Sequence, residues 1–114
     1  MKYKVIFSSG NFDDSEMIMI GIKYDVLILD EKGNYFNPQF IALDRINGVF
    51  VKNEICFLLE DLVILHTVSR ENILKSISEL HSWRFTERWL PVNESILVEH
   101  FYPIENWLII EVDV

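Results

Sequence analysis

The chain is short of the residues that cross-link or interrupt small domains. Among 114 residues there are one cysteine, three prolines and four glycines. With Cys56 alone, no intramolecular disulfide can form. Its neighbours Ile55 and Phe57 are apolar, and Glu54 and Glu60 carry the wrong sign to favour a thiolate, so a buried, inert thiol is expected. Few glycines leave little for phosphate loops: neither G-x-x-x-x-G-K-[ST] nor G-x-G-x-x-G occurs. No G-x-S-x-G elbow is present either, which removes one route to a serine hydrolase.

Long hydrophobic runs are also missing. The longest are broken by Glu60 and Asp61, so no membrane span is expected. After Met1-Lys2-Tyr3-Lys4 only Val5-Ile6-Phe7 precedes Ser8-Ser9-Gly10, too short for the apolar part of a signal peptide. A cytoplasmic protein is the expectation, and the Asn93-Glu94-Ser95 sequon then carries no consequence.

Positive charge is scarce. Ten Lys and Arg face eighteen Asp and Glu, for a net charge of −8. From Pro91 to Val114 the acids Glu94, Glu99, Glu105, Glu111 and Asp113 have no Lys or Arg beside them. That quarter of the chain therefore holds most of the excess. Phosphate neutralisation needs cations, so nucleic acids and anionic membranes are poor partners. A basic protein is the partner such a segment would steer.

What is abundant is apolar sequence: half of the residues are hydrophobic and 13% aromatic. This is far from the composition of disorder, and the length suits one domain. Lys2 to Phe7 alternates, with Tyr3, Val5 and Phe7 on one face, as in a half-buried strand. Ser8 to Asn11 reads as a turn, and Asp13, Asp14 and Glu16 as a solvated acidic loop. Met17 to Asp30 is nearly continuous apolar sequence. Its β-branched residues predict two strands, or one long strand bent at Gly21. Glu31-Lys32-Gly33-Asn34 predicts a hairpin loop; Lys32 and the position of Gly33 defeat a calcium-loop reading. Pro38 belongs at a strand start or an edge.

Residues 41–54 admit two readings. Asn47-Gly48 predicts a hairpin placing Ile46 opposite Val49 and Asp44 opposite Val51. The rival is a helix with Leu43, Ile46, Phe50 and Phe57 on one stripe. Ile55 to Leu59 and Leu62 to Leu65 predict buried strands. Ser69 then predicts a helix N-cap, with Val68 and Ile73 as a hydrophobic staple and Glu71 at the positive helix end. Ile73, Leu74, Ile77 and Leu80 form a one-sided stripe, so an amphipathic helix over about 70–82 is expected. Pro91 ends whatever precedes it. Ser95 to Tyr102 and Trp107 to Val114 predict a closing hairpin around Pro103-Ile104-Glu105-Asn106. In its last strand Leu108, Ile110, Val112 and Val114 face one way, and Trp107, Ile109, Glu111 and Asp113 the other.

The fold class expected is α+β: a mostly antiparallel sheet of about five to seven strands, packed on one face by that helix. For chemistry, His66, His81 and His100 are the acid–base candidates. None stands at metal-motif spacing, and each has a structural explanation: a strand end, a helix C-terminus and a sheet face. Adjacent acids on a strand point to opposite faces and make poor catalytic pairs. No catalytic residue, cofactor or metal is assigned. The expected function is a non-catalytic protein-binding module. One concrete form is an acidic bacterial immunity- or antitoxin-type inhibitor of a basic partner.

Aromatics among charges are the composition of interfaces, so the candidate partner-binding residues are Trp83, Trp89, Glu99, Glu105, Trp107, Ile109, Glu111 and Asp113. The plain alternative makes the three tryptophans core. Two other functions remain open: a small enzyme or ligand carrier with a Trp- and His-lined pocket, and a homo-oligomer formed through the last strand.

Overall fold

Period-two alternation at the two ends of the chain builds half of the larger sheet. A computed structural model describes residues 1–7, 14–46, 61–101 (residue 100 as backbone only) and 107–114. Strands β1 (Lys2–Phe7), β3 (Val26–Leu29), β4 (Tyr35–Phe36) and β7 (Leu108–Asp113) form an antiparallel sheet in the order β4-β3-β1-β7. Tyr3 lies opposite Val112 and Phe7 opposite Leu108, so the two ends of the chain are neighbours. The Met1 ammonium donates to the Val114 carbonyl at 2.9 Å, and the Val114 N–H returns a bond of 2.9 Å to Met1. The last strand thus pairs with the first, rather than with a strand just before it.

A second sheet holds β2 (Ile22–Lys23), β5 (Gln39–Ala42) and β6 (Leu62–Leu65) in the order β2-β5-β6. The α+β class and the number of strands are as expected, but the strands divide between two sheets. β5 and β6 run parallel, with Gln39 opposite Leu62 and Ala42 opposite Leu65. β6 is also less buried than its composition suggests, and Ile64 is half exposed.

The stripe on α2 (Arg70–Ser82) explains how the sheets are covered. Ile73 and Ile77 are fully buried, and Leu80 nearly so. They join Tyr3, Val5 and Phe7 in one core cluster that also takes in Phe40 and Ala42 of the second sheet. Burying each such side chain contributes about 1.5–3 kcal/mol. The Ser69 hydroxyl accepts from the Asn72 N–H at 3.1 Å, and Val68 is buried in the same cluster as Ile73. A second cap arrives from far away in sequence: the Asp14 carboxylate accepts from the Arg70 N–H at 2.7 Å. Ser69→Ala is expected to cost about 1 kcal/mol. A urea-unfolding midpoint that does not move would mean that Asp14 alone satisfies this helix end.

Several expectations are overturned, two of them at helix ends whose caps read differently in the sequence. Asp14 and Glu16, taken as part of a loop, begin helix α1 (Asp14–Ile20) as acids at its positive end. Met17 to Ile20 is therefore helical and not a strand. Only Met17 is buried there, while Ile18, Met19 and Ile20 face outward. Gly21, expected as a bend in a strand, stops the helix at φ +72°, and its N–H donates to the Met17 carbonyl at 2.9 Å. A Cβ at Gly21 would stand 2.8 Å from Arg45 Cγ.

Residues 43–45 do not continue β5. Both neighbours of β5 run out at the level of Ala42, whose N–H bonds to the Gly21 carbonyl at 2.8 Å. The chain then turns through a 3-10 helix at Leu43–Arg45, so Asp44 is not the strand residue that the Asn47-Gly48 hairpin requires. The rival helix fails at its start, because Ile41 and Ala42 are strand. The rest of 41–54, together with Ile55 to Leu59 and Cys56, lies outside the described residues.

Ser95 to Phe101 is helical too. Asn93 is the N-cap: its side-chain oxygen accepts from the Ile96 N–H at 3.0 Å and the Ser95 hydroxyl at 2.8 Å. Helix α4 (Glu94–Ile96) follows and widens into a π-type turn over Leu97–Phe101. Leu97 and Phe101, four apart, fall together on the sheet's other face, over Ile6 and Leu27.

The Glu31 to Asn34 loop is the hairpin expected, joining Leu29 to Tyr35 across β3 and β4. Asp30 organises it, its carboxylate accepting from the N–H groups of Lys32 at 3.0 Å and Asn34 at 2.9 Å. Among the described residues, no helix is long and apolar enough to cross a membrane.

Candidate binding surface

Among the described residues, those singled out for a partner do not form one patch. Trp83 is the C-cap of α2, and Arg84 after it takes a left-handed conformation at φ 63° and ψ 48°. That conformation costs a non-glycine residue about 1–2 kcal/mol. It turns the chain so that helix α3 (Phe85–Arg88) begins with Phe85 fully buried. Trp89 follows it into the core at 8% exposure, edge-on to Phe85 at 5.3 Å. Trp83 remains about half exposed, yet Arg88 already occupies it. The guanidinium lies 4.7 Å from the ring centroid, and its Nε donates to the Trp83 carbonyl at 2.7 Å.

Trp107 belongs elsewhere. It is half-buried against Phe101, 5.5 Å between ring centroids, in the cluster on the opposite face of the sheet. Trp89 and Trp107 therefore cover opposite faces, and both act as core. Glu99 lies on the π-type turn beneath which Leu97 and Phe101 pack. Glu105, and the side chain of His100, lie outside the described residues.

β7 is what remains of the expected surface. Its burial alternates strictly: Ile109, Glu111 and Asp113 are exposed, and Leu108, Ile110 and Val112 turn toward the core. The cross-strand register supplies something composition hides. Glu111 lies opposite Lys4 and Asp113 opposite Lys2, while Ile109 lies opposite Ile6. Opposite charges at such separations attract, so this face is a charge ladder beside an apolar row, not a bare acidic surface. Lys2 and Lys4 could have been found from sequence only by knowing that the two ends of the chain pair.

β7 is also an edge. Its six residues make it the longest edge strand among the described residues; β2 and β4 have two and β6 four. Because Met1 and Val114 exchange both of their backbone bonds, antiparallel alternation sends the N–H and C=O groups of Ile109, Glu111 and Asp113 away from β1. Among the described residues nothing pairs with that side.

A cleft of about 250 Å³ lies at the other end of the helix from His66, between the sheet and the C-terminal turn of α2. Tyr3, Asp30, Glu31, His81, Arg84 and Glu87 line it. No tryptophan is among the residues that line this cleft. The Tyr3 hydroxyl and His81 Nδ1 are 2.8 Å apart. Burial holds the Tyr3 phenol above its ordinary pKa, and Asp30 and Glu31 raise it further, so the hydroxyl keeps its proton at neutral pH. Both acids already have structural work: Asp30 closes its turn, and Glu31 accepts from the Lys2 N–H at 2.6 Å. His66 is exposed beyond the start of α2, with about 17 Å of helix between that start and His81. The histidines described do not converge. Among the described residues no group of three or more His, Cys, Asp or Glu is placed to hold a metal ion.

No protein family, curated protein or solved structure matches this chain.

Proposed function

We propose that the chain is a non-catalytic protein-binding module that receives its partner along the β7 edge. The carrying observation is a six-residue edge strand whose outward backbone groups belong to Ile109, Glu111 and Asp113, all exposed. A strand edge with free donors and acceptors is a ready template for an added strand. The net charge of −8 adds attraction for a basic partner. A cytoplasmic inhibitor of the immunity or antitoxin type, covering a basic protein, is the concrete form this reading favours.

The Glu111 N–H points away from β1, so Glu111→Pro removes an outward donor without cutting the β1 ladder. Affinity capture from the source cells is expected to retain a partner on the wild-type protein and lose it on this variant. The thermal midpoint should stay within a few degrees. Capture of the same partners by both proteins would exclude the edge.

The Tyr3–His81 cleft supports a second reading, a carrier of a small polar molecule held by groups of both signs. A saturable ligand lost on His81→Ala but kept on Glu111→Pro would favour it.

A further inference from the structure

The β7 edge discriminates by charge, and this says what kind of strand it takes. We propose, resting on the reading above, that its occupant is an extended basic segment adding antiparallel to β7, and not a second copy of this chain. Read from its N-terminus, that segment runs basic–apolar–basic–apolar–apolar.

The pattern follows from register. Residues placed opposite Asp113, Glu111 and Ile109 put their side chains on the same face as those three. On that face the existing rows read Lys2 to Asp113, Lys4 to Glu111, and Leu27 to Ile6 to Ile109. A cation beyond each acid continues the alternation of sign, and an apolar residue beyond Ile109 extends the apolar row. The two intervening residues lie on the core side beside Val112 and Ile110, which are half-buried and apolar. Antiparallel addition matches every other pair in this sheet.

A second copy does not meet these requirements. Two-fold pairing of β7 must keep Ile109, Glu111 and Asp113 as the hydrogen-bonded positions. Registers of that kind oppose Glu111 to its own copy, to Ile109 or to Asp113. None brings a cation to either acid, and the first and third set like charges directly opposite, which is destabilising. Glu111 and Asp113 thus guard the edge against self-pairing and leave it open to cations.

The test uses the full chain and three short peptides of the stated pattern, carrying lysine, threonine or glutamate at the two charged positions. Amide hydrogen exchange by NMR reads whether Ile109, Glu111 and Asp113 become protected, and titration gives the affinity. The lysine peptide is expected to protect all three amides and to bind about tenfold more tightly than the threonine peptide at low salt, a margin that shrinks as salt is added. Glu111→Lys should lower affinity for the lysine peptide and raise it for the glutamate peptide, a reversal that lost folding cannot produce. Equal protection by all three peptides would overturn the basic occupant while leaving the edge as a binding site. Concentration-dependent protection without peptide, with a dimer in sedimentation, would name a second copy as the occupant. No protection by any peptide at Ile109, Glu111 and Asp113 would overturn the proposed function itself.

Discussion

Phe85→Ala is expected to remove about 3–5 kcal/mol of folding free energy, the usual range for deleting a buried aromatic. Domains of this kind hold about 5–15 kcal/mol in all, so the variant should be partly unfolded at moderate temperature. The position justifies the upper part of the range. Phe85 is fully buried, and its ring lies 5.4 Å from Tyr3, 5.2 Å from Phe36 and 5.3 Å from Trp89. Those three come from β1, β4 and the segment after α3, so one ring joins the four-stranded sheet to the chain leaving α2. Nothing smaller can collapse into the gap without moving a strand. Urea unfolding followed by far-UV circular dichroism gives the number, and Phe85→Leu should recover part of the loss. A loss under about 1 kcal/mol would mean that Phe85 is not packed in this way.

Phe85 also explains Arg84. A left-handed residue at the end of a helix is ordinarily glycine, and here arginine bears the strain. The turn it makes delivers Phe85 to the core, and burial of that ring outweighs the strain. The same turn brings Arg84 to the rim of the Tyr3–His81 cleft.

Features that declare themselves within about a dozen residues were legible. Helix α2 follows from a cap, a staple and a stripe, all local. The two faces of β1 and β7 follow from period two, since each residue's neighbours fix its side. Partner choice between strands is not local. β1 and β7 are joined across nearly the whole chain, and nothing in either strand names the other. The charge ladder of Lys2, Lys4, Glu111 and Asp113 exists only through that pairing, so composition alone read the last strand as bare acid.

Helices α1 and α4 were obscured by isoleucine and valine, which favour strands when nothing else decides. In both, a cap decided. Gly21 and Asn93 were visible, but each has a second meaning, a strand bend in one case and a glycosylation sequon in the other. The tryptophans show a different limit. Their number is plain in the sequence, but depth is a tertiary property: Trp89 is buried on one face of the sheet and Trp107 half-buried on the other. What survives of the expected surface is its backbone edge and three side chains of β7, not its aromatics.

Leu27→Ala is expected to cost about 2–5 kcal/mol, although Leu27 faces away from α2. If the sheet were covered on one face only, Leu27 would be open to water and its truncation nearly free. It is instead fully buried, with Ile6, beneath Leu97 and Phe101. The helical segment from Glu94 to Phe101 carries that cover, with Leu97 and Phe101 one turn apart and packed in the same cluster as Ile6 and Leu27. A double-mutant cycle with Phe101→Ala isolates the contact: the two losses should fall short of additive by about 0.5–3 kcal/mol, as for residues within one cluster. Additive losses would detach 94–101 from the sheet. Both variants leave the outward groups of Ile109, Glu111 and Asp113 in place, so peptide binding at the β7 edge should persist wherever the protein remains folded. That separates the second core, which holds the sheet flat against its cover, from the edge that meets the partner.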